Sequence, residues 1–168
     1  WATVIILGVM NIVQSFRKYR EGDDKYCMNA LLILKYGLVL FYVVNYVGTV
    51  FVLLIMFVAS RGLIIFAFPV VLFYVLINAA GTWLIMIPGS FYGIQAIRFG
   101  VKQKKISGAA AVLHGILQFL FLADVLDTLY LAVRKWGMGK KSSVVVGGLY
   151  IFTAFAVVVT ILYIGIRF

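Results

Sequence analysis

The sequence predicts an all-α, polytopic transmembrane helical bundle of about five spans, forming a single membrane domain with no soluble domain. Three observations predict it. The 168 residues are 65% hydrophobic and only 12% charged, whereas a soluble domain is nearer half apolar and a quarter charged. Mean hydropathy is +1.12, and the apolar residues come in runs of about 20 or more, the length a helix needs to cross hydrocarbon. The fifteen Lys and Arg collect in short segments between those runs, where they set the orientation of a membrane protein. That placement excludes nucleic acid as the partner of a net charge of +10; the expected partner is the lipid bilayer.

The first segment, 1–16, would reach about 24 Å as a helix against about 30 Å of hydrocarbon, so upstream residues are expected to complete it. It runs into Arg17-Lys18 without a small-residue cleavage site, which reads as a span rather than a cleaved signal peptide. Asn11 and Gln14 fall at its interfacial end. The loop that follows sets Arg17, Lys18, Arg20 and Lys25 against Glu21, Asp23 and Asp24. It lacks the alternating oxygen ligands of a calcium loop and reads as a solvated turn.

The second segment, 30–60, reads as one long helix. Lys35 lies about a turn inside it and is expected to snorkel to the headgroups, while Tyr42, Asn45 and Thr49 share a face. Arg61-Gly62 is a tight connection to the third segment, 63–87, making an antiparallel hairpin. Pro69 either kinks that segment or sits close enough to its end to be tolerated. Pro88-Gly89-Ser90 reads as a strong local break, after which an interfacial extension to 105 ends in Arg98, Lys102, Lys104 and Lys105.

The fourth segment, 106–133, is the most informative. It carries the only histidine, His114, and the only acidic residues beyond the first loop, Asp124 and Asp127. On one continuous helix Ser107, His114, Gln118, Asp124 and Thr128 share a sector of about 120°, with Asp127 about 60° outside it. Val112, Ile116, Phe119, Ala123, Leu126 and Tyr130 form the opposite, lipid-facing side. An unpaired charge in hydrocarbon costs several kcal/mol, so the polar edge must face a bundle interior or a wet cavity. A basic loop, 134–141, leads to the fifth segment, 144–166, where Thr153, Ala156 and Thr160 make a small-residue stripe suited to close packing.

Five spans place the 17–25 and 98–105 loops, Lys35 and Arg167 on one side with ten Lys and Arg, against five on the other. The bias predicts a cell-membrane protein with its N-terminus outside and its C-terminus in the cytoplasm. The basic 134–141 loop then lies on the wrong side, and a re-entrant fourth segment would redraw part of this map.

Asn45, Asn78, Gln118 and Thr153 each fall near the middle of a segment and suggest one polar layer. Interhelical hydrogen bonding accounts for such a layer; a substrate or ion path bracketed by His114 and Asp124 is the sharper reading. Two enzymatic constellations compete with it. Asp124 and Asp127 at i, i+3 could share a divalent cation, as in membrane enzymes acting on lipid-linked diphosphates. A second acidic cluster is missing on that side, and pairing of both aspartates with Arg134 or Lys135 near the headgroups explains them better. Ser90 with His114 is similar to the serine–histidine dyad of intramembrane proteases, but Gly89-Ser90-Phe91-Tyr92-Gly93 lacks Gly-x-Ser-Gly, and Ser90 has a simpler use as a helix cap.

No cofactor or metal is expected. One histidine excludes bis-histidine haem, the lone Cys27 excludes a disulfide or a multi-cysteine site, and no phosphate-binding P-loop occurs. No N-glycosylation sequon occurs either. The expectation is a non-enzymatic integral membrane protein, a small transporter-like protein or a membrane subunit, with His114, Gln118, Asp124, Asp127, Asn45 and Asn78 building its polar interior. A chain this short encloses little volume, so a homo-oligomer or a partner subunit is expected.

Overall fold

Six α-helices follow one another along the described residues. In the computed structural model they are α1 (Ala2–Glu21), α2 (Asp24–Ala59), α3 (Phe68–Lys102), α4 (Gly108–Leu117), α5 (Ala123–Tyr130) and α6 (Lys140–Arg167), with a π-helical turn, Leu131–Trp136, continuing α5. The structure describes residues 2–61, 63, 66, 68–120 and 123–167, the last stretch without side chains at 157, 160, 161 and 163–167. Gly62 of the expected tight connection and the Thr160 side chain of the expected stripe lie outside the described residues. The chain is 90% helical with no strand among the described residues. Two helices, α2 and α3, are each long and apolar enough to cross a membrane.

The α1–α2 turn forms because Gly22 supplies a positive φ of 79° and Asp23 caps α2, its Oδ1 accepting from Tyr26 N at 2.9 Å. Arg17 and Lys18 both pair with Glu21, and the Lys18 hydrogen bond holds the Glu21 carboxyl below its ordinary range. α2 therefore begins six residues before the expected start at 30.

α3 corrects a second expectation, since it continues unbroken through Pro88-Gly89-Ser90. A proline inside a helix loses one hydrogen bond and crowds the preceding turn, and neighbouring helices can make that tolerable. Here Pro88 packs on Gly8 of α1, where a Cβ would come within 3.2 Å of the proline Cγ. Gly89 admits the Lys35 side chain, whose Cε would stand 3.4 Å from a Cβ. Residues 91–102 are thus the last third of α3, which packs on α1, α2 and α4, and do not follow a break. Pro69 sits in the first turn of α3, where its missing N–H costs nothing.

The largest correction concerns 106–133, which is not one helix. Ser107 caps α4, accepting from Ala110 N; α4 ends at Gln118, and a turn of i→i+3 bonds through Phe119 and Leu120 follows. On a continuous helix His114 and Asp127 would stand about 20 Å apart along the axis. They are hydrogen-bonded to each other, and the His114 ring stacks on Tyr130, centroids 5.6 Å apart. The chain therefore doubles back. Its two ends meet: a Cβ on Gly100 would stand 2.9 Å from both Ile106 Cγ1 and Trp136 Cη2, and Lys105 Nζ lies 5.2 Å from the Trp136 ring centroid.

This hairpin moves the 134–141 loop to the same end of the bundle as the other basic loops. Gln103 donates to Asp24 at 2.7 Å, and Tyr36 near the start of α2 bonds Ser143 at 2.9 Å. Arg17, Lys18, Arg20, Lys25, Arg98, Lys102, Lys104, Lys105, Arg134, Lys135, Lys140 and Lys141 thus gather at one end, twelve of the fifteen Lys and Arg.

Candidate functional site

A cluster of charged and polar side chains lies inside the bundle where α2, α3 and the α4–α5 hairpin meet. Lys35 enters from α2, eleven residues after its first, a depth of about 16 Å. It is fully buried, as is Asp124 of α5, and the two pair at 2.7 Å. Lys35 Nζ also donates to Ser90 Oγ of α3 at 3.3 Å. The Ser90 hydroxyl is shared between the carbonyls of Gln118, at 2.5 Å, and Met86, at 3.2 Å, so α3 directly holds the residue that caps the end of α4.

The second half of the cluster is internal to the hairpin. Gln118 Nε2 donates to Asp127 Oδ2 at 2.8 Å and to Thr128 Oγ1 at 3.3 Å. Asp127 Oδ1 takes the hydrogen bond with His114 Nδ1. Gly93 of α3 makes room for the amide, because a Cβ there would fall 2.6 Å from Gln118 Cδ. Trp83 Nε1 donates to the Phe119 carbonyl at 3.2 Å and ties down the turn. An ion in the protein interior is stable only when paired and hydrogen-bonded, and each charge here has such a partner. The exception by atom is Asp124 Oδ1, buried with no hydrogen-bond partner among the described residues.

Of the expected polar edge of 106–133, Gln118, Asp124 and Thr128 are buried and His114 is half-buried, but Ser107 is exposed; on the opposite side Val112, Ile116, Leu126 and Tyr130 are exposed, with Phe119 and Ala123 half-buried. The means differ from the expectation. Asp127, set outside the sector on a straight helix, turns into the cluster because the chain reverses. Lys35 does not snorkel. Asp124 and Asp127 pair with Lys35 and His114 rather than with Arg134 or Lys135, and they face different partners, so they do not form a shared cation site. Ser90 caps no helix, and His114 bonds Asp127 rather than Ser90. Among the described residues no group of three or more His, Cys, Asp and Glu side chains is placed to hold a metal.

Asn45 and Asn78 do meet, but elsewhere. Asn45 Nδ2 donates to Asn78 Oδ1 at 3.0 Å and to Thr82 Oγ1 at 3.1 Å, and Asn78 Nδ2 donates to Thr49 Oγ1 at 3.0 Å. With Thr153 they line a cavity of about 340 Å³ between α2, α3 and α6. The single polar layer is therefore two sites, because Gln118 belongs to the charge cluster. A second cavity of about 640 Å³ lies between α1, α2 and α3 and is walled mainly by aliphatic side chains; a third, of about 400 Å³, lies beside Arg98 and Ala111. Ser90 and Asp124 line none of the three.

Lys35 is the member that sequence reasoning misplaced. Its signal was present: one cation inside Leu-Leu-Ile-Leu-Lys-Tyr-Gly-Leu, with carboxylates of opposite sign inside another apolar run.

Residues 2–137 match a family of unknown function, DUF6652, and the chain belongs to that family. The match takes in α1 through the end of the hairpin and stops before α6. No curated protein and no solved structure matches the chain.

Proposed function

We propose that the protein is a non-enzymatic, transporter-like integral membrane protein. In this reading α1, α2, α3 and α6 cross the bilayer, while the α4–α5 hairpin enters and leaves from one side. The observation that carries the proposal is an inversion of polarity. Lys35, Gln118, Asp124 and Thr128 have no exposed surface, while Ile5, Phe51, Phe73, Val144 and Phe152 are each more than 60% exposed. In water such an exterior would aggregate; in hydrocarbon it is the required solvent face, and buried charges mark working sites.

The charge distribution supports an orientation. With twelve Lys and Arg at one end, that end is cytoplasmic by the positive-inside bias, and both termini lie opposite. A re-entrant helical hairpin beside interrupted polar contacts is the type of element that transporters build at their working site. The Lys35–Asp124 pair is then the latch that holds the hairpin against α2 and α3.

Single-cysteine variants in a Cys27→Ala background test the topology with a membrane-impermeant maleimide. Cysteines replacing Arg20, Lys104 and Lys140 are expected to react from one side only, and one replacing Arg61 only from the other. Reaction of Lys104 and Lys140 positions from opposite sides would refute the re-entrant hairpin. Proteoliposomes under an imposed pH gradient, read with an entrapped dye, test the function. Flux is expected in the wild type, with Lys35→Met/Asp124→Leu folded but inactive. A double variant as active as the wild type would reduce the latch to a packing element. Absence of flux in the wild type, with a larger chemically cross-linked assembly in native membranes, would favour a subunit role instead.

A further inference from the structure

We propose that the cavity between α2, α3 and α6 binds a neutral lipophilic molecule bearing a hydroxyl or carbonyl oxygen, with the Tyr150 hydroxyl as its hydrogen-bond partner. The inference rests on the membrane placement above and names the kind of ligand that placement would deliver. The cavity, at about 340 Å³, falls within the range of about 300–1,000 Å³ typical of small-molecule sites, which are mostly apolar with a few placed polar groups. Val39, Val75, Ala79, Ala154 and Val158 make the apolar wall.

Among the described residues no Asp, Glu, Lys, Arg or His lines the cavity, so a charged ligand would lose its hydration without a counter-charge. The neutral polar groups are mostly engaged already: Asn45, Asn78, Thr49 and Thr82 bond one another, and Thr153 Oγ1 donates to the Leu149 carbonyl at 2.8 Å. Tyr150 differs. It lines the cavity, is 4% exposed, and packs beside Val39 and Val125, yet its hydroxyl has no hydrogen-bond partner among the described residues. A buried hydroxyl without a partner is costly, and a ligand oxygen in the cavity would supply one.

The test uses the full chain in liposomes and three photoactivatable C16 probes carrying a diazirine and an alkyne: an alcohol, the matched hydrocarbon and the matched carboxylic acid. The alcohol is expected to label peptides containing Asn78 and Ala154 at least fivefold above the other two probes. Tyr150→Phe is expected to lower that labelling about three- to tenfold, the range for one hydrogen bond. This variant removes only the unpartnered hydroxyl, so its melting temperature should not fall. Ala154→Phe, which fills the space, should abolish labelling. Equal labelling by the hydrocarbon or the acid, or wild-type labelling of Tyr150→Phe, would overturn the inference. So would chain-to-chain adducts at these peptides, which would make the cavity a seat for a second copy. Failure of labelling in a protein extracted only by detergent sinks this inference alone; a protein soluble without detergent sinks the membrane reading.

Discussion

The two halves of the long helices behave differently. Every buried residue of α2 lies between Cys27 and Val39, and every buried residue of α3 between Thr82 and Gly100. Those two stretches face each other at the basic end, where the hairpin, the charge cluster and the Cys27, Met28, Leu31 and Tyr92 core lie. In the other half, α2 and α3 are joined by the Asn45–Asn78 bond, with one cavity beside it and exposed apolar side chains around it. One end is held by long-range ion pairing and a buried core. The other is held by neutral hydrogen bonds. Charged and neutral polar contacts are thus separated along the same two helices.

The largest break in this contrast should come from half of the ion pair. Lys35→Met or Asp124→Leu alone leaves a buried charge unpaired, a loss of about 3–5 kcal/mol, read as thermal unfolding in detergent. The double variant is expected to recover most of that loss, giving a strong coupling in a double-mutant cycle; additive losses would mean that the two do not meet. Next comes Gly93→Ala, whose Cβ would strike the side chain of Gln118, an amide pinned by Asp127 and Thr128. Overpacking of this kind costs about 1–3 kcal/mol, and the loss should appear together with faster proteolysis at the 118–120 turn. In the other half, Asn78→Leu removes two hydrogen bonds and should cost only about 1 kcal/mol, at about 0.6 kcal/mol for each interhelical bond in a membrane protein. The smallest effect belongs to Gly48→Ala, since nothing lies within 4 Å of a Cβ there. It should be neutral, or stabilising by up to about 1 kcal/mol through helix propensity. If Gly48→Ala and Gly93→Ala destabilise equally, the two halves do not differ in packing.

Several features were legible before any coordinates. Helix content, the burial of Gln118, Asp124 and Thr128, and interhelical hydrogen bonding by Asn45 and Asn78 follow from polar residues set inside apolar runs. Other features were misread for identifiable reasons. Pro88-Gly89-Ser90 has the composition of a break, but Gly8 and Lys35 fit against it and the helix continues. Lys35 lies near enough to a helix end to suggest snorkelling, and only the position of Asp124, eighty-nine residues later, gives it another partner. The reversal that begins after Gln118 was hidden because the sequence that follows, Phe-Leu-Phe-Leu, has no glycine or proline to mark a turn.

What the sequence determined alone is polarity: that the chain is helical, which residues are strongly apolar, and that each buried charge needs an opposite one. Those are local properties, set by the side chain and its neighbours a turn away. Which charge answers which, and at which end of the bundle the 134–141 segment lies, were decided by tertiary structure. Coulomb attraction in an apolar interior demands a partner but is indifferent to its place in the chain. Only the packing of α3 against both α2 and α4 brought Lys35 to Asp124 and folded His114 back onto Asp127.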